Sequence, residues 1–179
     1  MSDTMRTNAL IGLSLALVAI FIYLSFRFEY EFATAALLCL VHDVLITIGA
    51  IGLLHVLKVP VQIDLHTIAA LMTIIGYSLN DTIIIFDRIR EEIEKGKKIP
   101  FIALVNQALN HTLSRTVMTS GTTLLVLCAL VLFGGASLFS FSLIMLIGIL
   151  FGTFSSWFIA APILVFLNRK QMNTLENVT

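Results

Sequence analysis

The chain has 179 residues, 58% of them hydrophobic and 12% charged, with 11 basic and 11 acidic side chains and no formal net charge. Its mean hydropathy of +0.99 lies outside the range of soluble domains. So apolar a chain has too few polar side chains to cover a soluble helical core, and it reads as an integral membrane protein.

Five apolar stretches, at residues 9–26, 32–57, 65–86, 116–133 and 138–167, are long enough to cross a bilayer, which takes roughly 20 helical residues. The predicted fold class is therefore an all-α polytopic bundle of about five transmembrane helices forming a single domain. The first span follows one basic residue, Arg6, and leads into "FRFEYEF" rather than a small-residue cleavage site, so it is expected to stay in the protein. In the second span, His42 and Asp43 lie near the middle, and Ala36, Cys39, Asp43, Thr47 and Ala50 share a small and polar stripe.

The third span carries Asn80 and Asp81, with Thr73, Gly76 and Asn80 on one stripe. A cytoplasmic segment at about 87–114 follows. Its "DRIREEIEKGKK" should prolong the helix, with Glu91 to Lys95 and Glu94 to Lys98 at the favourable four-residue spacing, and Gly96 should end it. Pro100 suits the first turn of a new helix whose apolar face is formed by Ile102, Val105, Leu109 and Leu113, expected to lie along the membrane surface. Acids interleave the lysines of this segment, which argues against nucleic-acid binding.

Arg115 stands at the mouth of the fourth span, in line with Thr119 and Thr122. The fifth span is longer than needed, and Pro162 is expected to bend it near one end. Small residues let membrane helices pack closely, and Gly76, Gly121, Gly148 and Gly152 are the candidates for such contacts. Cys39 and Cys128 fall inside apolar spans and read as small hydrophobes.

Basic residues alternate between loops. Arg27, then Arg88, Arg90, Lys95, Lys97 and Lys98, then Arg169 and Lys170 fall on one side, against Lys58 on the other. The positive-inside rule puts the first group, and with it the C-terminus, in the cytoplasm.

An ionised side chain near the bilayer centre costs about 2.5–3.5 kcal/mol on insertion scales, so Asp43 and Asp81 need a reason. Asp81 lies six residues before Asp87, roughly 9 Å inside the cytoplasmic end of its span. There a carboxylate must protonate, pair or face water, and a moving arginine would change its proton affinity. For Asp43 with His42, and for Asn80, a proton relay and simple helix packing both stay open. Arg115 could equally snorkel to the interface. There is no phosphate-binding loop, HExxH, paired CxxC or nucleophile elbow, and His42, His55, His66 and His111 lack ligand spacing. No catalytic, cofactor or metal site is expected.

"GYSLNDTIIIFDRIRE", "HTLSRTVMTSGTT", the "HDV" of the second span, "FRFEYEF" and the "LFGG" and "FSLIMLIGILFGTFSS" ending occur in collinear order. Together they resemble the SecF family, the membrane subunits of the bacterial SecDF export complex, related in fold to the resistance-nodulation-division (RND) exporters. The resemblance implies an RND-like half-bundle in the inner membrane. Its partners would be a SecD-like subunit, the SecYEG channel, a translocating unfolded polypeptide, protons and the lipid bilayer. It also implies a proton path through Asp81 and Arg115, completed by an aspartate from SecD. A complete SecF has a further first span and an extracytoplasmic domain, both expected to be missing before this chain begins. The competing functions are half of a proton-coupled small-molecule or lipid exporter and a passive scaffold.

Overall fold

The computed structural model describes residues 3–96 and 99–168. Among them are six α-helices: α1 (Asp3–Arg27), α2 (Tyr30–Val56), α3 (Leu65–Glu94), α4 (Phe101–Phe133), α5 (Gly135–Ser155) and α6 (Ala161–Leu167), with a π-helical turn at Ser156–Ala160 joining the last two. Lys97, Lys98, Arg169 and Lys170, which the topology argument uses, lie outside the described residues. Four helices are long and apolar enough to span a bilayer: α2, α3, α4 and the run Gly135–Leu167. In α1 the apolar part is Ile11–Arg27. The fold is an all-α polytopic membrane bundle of four to five long apolar helices.

Local chemistry sets the helix ends. Asp64 caps α3 by accepting from the backbone N–H groups of His66 and Thr67, while the Thr67 hydroxyl faces back to the Asp64 N–H. At its other end Gly96 takes a left-handed φ of +63°, the turn expected there. Pro100 immediately precedes α4.

The segment after Pro100 differs from its expected form. It is no separate surface helix but the beginning of α4, which runs 33 residues without a break to Phe133, roughly 50 Å. Its buried face is Phe101, Leu104, Val105, Ala108 and Thr112, whereas Ile102 and Leu113 are exposed. The apolar spacing that sequence suggested was therefore about one position out of register. The reason is tertiary: Phe86 and Ile89 of α3, Leu24 of α1 and Leu164 of α6 share one core cluster with Phe101, Leu104, Val105 and Ala108.

The same cluster brings the α1–α2 turn, the α3–α4 turn and the end of α6 to one end of the bundle. Arg27 Nη2 donates to Asp87 Oδ1 at 3.0 Å there. A second cluster, with Ile51, Val61, Leu127 and Met145, closes the opposite end, where the Gln62 N–H donates to the Ser140 hydroxyl. Every basic loop that can be placed thus shares an end, with Lys58 at the other.

Beyond the core cluster, Glu92 is 1% exposed and held by Arg88 Nη2 at 3.1 Å and Lys95 Nζ at 2.8 Å. The predicted Glu91–Lys95 pair is also formed, at 2.9 Å, whereas Glu94–Lys98 falls outside the described residues. These hydrogen bonds, from Glu92 first and then Glu91, hold the Lys95 ammonium above the ordinary lysine range. Truncating Glu92 leaves two cations without their buried carboxylate. Glu92→Ala should lose about 1–3 kcal/mol, less than for a fully buried pair because both partners are partly exposed. Thermal unfolding of the purified protein in detergent measures it, and an unchanged midpoint would contradict the role given to Glu92.

Pro162 lies in the first turn of α6, directly after the π turn. Proline lacks an N–H, and its ring crowds the carbonyl four residues back. The wider π turn accommodates both, so the expected distortion takes the form of a bulge.

Candidate functional site

Asp81 sits in the seventeenth position of α3, 2% exposed. Its position on the inner face follows from Ile74, Ser78, Asp81, Thr82 and Ile85, buried at helical spacing. From α4 the Ser120 hydroxyl donates to Asp81 Oδ2 at 3.4 Å. Ser120 in turn receives Thr153 Oγ1 of α5 at 2.9 Å and Tyr77 Oη at 3.4 Å, and Tyr77 also reaches Thr123 Oγ1 at 3.3 Å. One carboxyl is thereby linked through hydroxyls to α4 and α5.

A second buried carboxyl stands at the centre of α2. Asp43 is 1% exposed, with His42 Nδ1 at 3.1 Å from Oδ1 and the Ser78 hydroxyl of α3 bonded to Oδ2. Thr47 caps the same turn by donating to the Asp43 carbonyl. One turn away Cys39 Sγ lies 3.4 Å from the Ser155 hydroxyl. Of the stripe Ala36, Cys39, Asp43, Thr47 and Ala50, the first four are buried and Ala50 is half-buried. Both cysteines are free, Cys39 buried and Cys128 exposed.

Close approach of α5 makes room for this chemistry. A Cβ on Gly148 would lie 2.2 Å from Ile74 Cδ1, and one on Gly152 would lie 3.1 Å from Ser78 Cβ and 3.7 Å from Asp43 Oδ2. These two glycines are the small-residue contact foreseen from sequence. Gly76 and Gly121 differ: among the described residues a Cβ on either meets nothing within 4 Å. Their helices turn those positions outward.

Arg115 and Asn80 also face outward. No ion pair within 4.0 Å joins Arg115 to Asp81 among the described residues, and Asn80 is exposed. Arg115 instead lines an open cavity of about 400 Å³ with Ile84, Asp87, Arg88, Glu91, His111 and Thr112. It lies five residues before Ser120 on α4, roughly 7–8 Å along the axis. The stripes Thr73–Gly76–Asn80 and Arg115–Thr119–Thr122 are exposed together on α3 and α4.

Sequence reasoning missed Ser78, Tyr77, Ser120 and Thr153, which carry the hydrogen bonds. Ser78 could have been found, lying three residues before Asp81 and hence on the same face. The others depend on which helices meet. No group of three or more histidine, cysteine or acidic side chains able to hold a metal occurs among the described residues.

Comparison with known proteins gives the site its setting. The chain is 46% identical over 170 residues to the protein translocase subunit SecF of Rhodothermus marinus, covering 94% of this chain and 55% of that one. It is 44% identical over 170 residues to the subunit of the same name from Sebaldella termitidis, covering 94% and 54%. The chain thus spans about half the length of the curated relatives it matches. The crystal structure of SecDF in its super-membrane-facing form superposes with a TM-score of 0.85 at 40% identity, over 99% of this chain and 24% of that one. SecDF from Thermus thermophilus, a translocon-associated membrane protein, gives 0.85 at 42% identity, over 92% and 22%. Long apolar helices and bacterial relatives make this a multi-pass protein of the bacterial inner membrane. Residues 1–170 match the family described as protein export membrane protein SecD/SecF, C-terminal, and with these relatives they show that the chain belongs to it.

Proposed function

We propose that this chain is the membrane-embedded part of a SecF subunit that couples the proton motive force to protein export, with Asp81 as a proton-carrying group and Arg115 as the cation that governs it. The observation that carries the reading is the Asp81 cluster: a carboxyl 2% exposed in mid-helix, bonded through hydroxyls among the described residues and one turn from a charged cavity at the bundle end. A group so placed changes charge at a cost set by its surroundings, and a displacement of Arg115 would alter that cost. A proton crossing the membrane releases about 2.3 kcal/mol per 100 mV, enough to bias a conformational equilibrium.

Five spans in an RND-like half-bundle, the C-terminus in the cytoplasm, complete the proposed arrangement. Its partners are a SecD-like subunit, SecYEG and the translocating unfolded polypeptide. Support for the first partner comes from the outward polar stripes of α3 and α4, since Asn80, Arg115 and Thr119 facing hydrocarbon would be costly. The protein completed with its remaining regions should co-purify with a SecD-like protein and stimulate export of a reporter precursor only while the membrane potential is maintained. Stimulation that persists after the potential is collapsed would refute proton coupling.

Orientation has its own test. Cysteines placed at Lys58 and at Lys97 should label from opposite faces, Lys97 from the cytoplasm. Labelling of both from one face would overturn the five-span arrangement.

A further inference from the structure

His42, half-exposed, and the buried Asp43 and Ser78 form a hydrogen-bonded unit that the Asp81–Arg115 path leaves unused. We infer that it is a second proton-holding site, separate from Asp81, in which the His42–Asp43 pair shares one proton between Nδ1 and Oδ1. The inference deepens the proton-coupled reading and rests on it.

The argument is one of charge. Asp43 is 1% exposed at the centre of α2, thirteen residues from either end of the helix, roughly 20 Å each way. Its ion-pairing partner is His42, 3.1 Å from Oδ1, with a side chain 37% exposed. From α3 it is faced by the Ser78 hydroxyl, and from α5 by the bare backbone of Gly152. Cys39, a turn away on α2, is itself bonded to Ser155 of α5. Toward α1, the neighbouring residues Leu40 and Val44 meet Leu13, Leu17 and Ile20. No cation other than His42 comes within 4.0 Å of Asp43 among the described residues.

With one proton the pair has no net charge, whether as imidazolium and carboxylate or as imidazole and carboxylic acid. Moving the proton from Nδ1 to Oδ1 breaks the N–H bond, forms the O–H bond and leaves both groups neutral. Removing it leaves a lone carboxylate, and adding a second leaves a lone imidazolium, each expensive away from water. Ser78 ties the carboxyl to the helix that bears Asp81, three residues on. Two hydrogen-bonded cells thus share α3: Asp43 with Ser78 toward α2, and Asp81 with Ser120 and Thr153 toward α4 and α5.

The test is infrared difference spectroscopy of the complete protein with its SecD-like partner in lipid, following the carboxyl C=O stretch through a pH titration. Two titrating bands from this chain are expected, one lost in Asp81→Asn and the other in Asp43→Asn. His42→Gln should move the pH at which the Asp43 band appears and leave the Asp81 band in place. If Asp43→Asn removes no band beyond those missing in Asp81→Asn, the second site does not exist. Should Asp43→Asn fail to fold, His42→Gln decides, because it keeps the carboxyl: an undisplaced titration overturns the shared-proton pair. Normal potential-dependent export in Asp81→Asn would overturn the proposed function and leave the Asp43 band untouched, so the two ideas fail separately.

Discussion

Asp81→Asn should abolish potential-dependent export while the protein accumulates at its normal level. Asparagine keeps the shape of a protonated aspartate and can still accept from Ser120, so the hydroxyl cluster joining α3, α4 and α5 survives. The lost property is proton exchange. Arg115→Lys should behave the same way for a different reason, retaining the charge but losing the planar five-donor fork that can hold an anion in a fixed geometry. The measurement is export of a reporter precursor, with the potential present and then collapsed, in cells whose only copy is the completed protein bearing each substitution. A helix-packing role for Asp81 predicts the opposite, since asparagine would pack nearly as well. Normal potential-dependent export in Asp81→Asn would remove Asp81 from the proton path.

Gly148→Ala should be strongly disruptive for a single added methyl. The added Cβ would fall 2.2 Å from Ile74 Cδ1 and 2.6 Å from Cγ1, and Ile74 is itself 1% exposed. Overpacking of this kind costs about 1–3 kcal/mol, and here it would separate α5 from α3 beside both carboxyls. Ile74→Ala alone should also destabilise, by about 2–5 kcal/mol for a buried isoleucine. In combination the second change makes room for the first, so the double variant should be more stable than the sum of the two losses predicts. Gly121→Ala is the contrast: its Cβ meets open space, and the gain in helix propensity of up to about 1 kcal/mol opposes any loss. Thermal midpoints of the purified complex measure all four. Equal effects at Gly148 and Gly121 would show that the α3–α5 contact is looser than its distances imply.

The contrast between those glycines shows how far sequence could be read. Hydropathy located both ends of α2 and the beginning of α3 within a few residues, because a membrane span must be apolar along nearly its whole length, but the apolar span stopped at 86 where α3 runs on to Glu94. Gly96 marked a turn through local chemistry that needs no tertiary partner; Asp64, which caps α3 in an equally local way, was not singled out. By contrast, the run from Pro100 to Arg115 has the polarity of an interface. Only its packing against Phe86, Ile89 and Leu164 shows that α4 continues through it. Helical spacing also says which residues share a face but not what that face meets. Gly148 and Gly76 looked alike in sequence, yet one presses on Ile74 and the other lies open. Asp43 and Asp81 were visible as costly charges. Their hydroxyl partners were hidden among many serines and threonines, since Ser120 and Thr153 matter only once α4 and α5 are brought to α3.

A π turn amounts to one residue more than an α-helix needs, so Ser156–Ala160 behaves as an insertion that shifts the phase of everything after it. With 3.6 residues per turn, deleting one residue there would rotate α6 by about 100° relative to α5. Leu164 and Ala161, now fully buried beside Phe86 and Ile89, would swing off the core face, and Phe166, now 62% exposed, would turn from its present direction. The bulge is therefore a reading-frame device in three dimensions. It lets one polypeptide rod present the Gly148–Gly152 ridge to α3 at one end and a leucine-lined face to the basic end of the bundle at the other, two directions that a regular helix of the same sequence could not serve together.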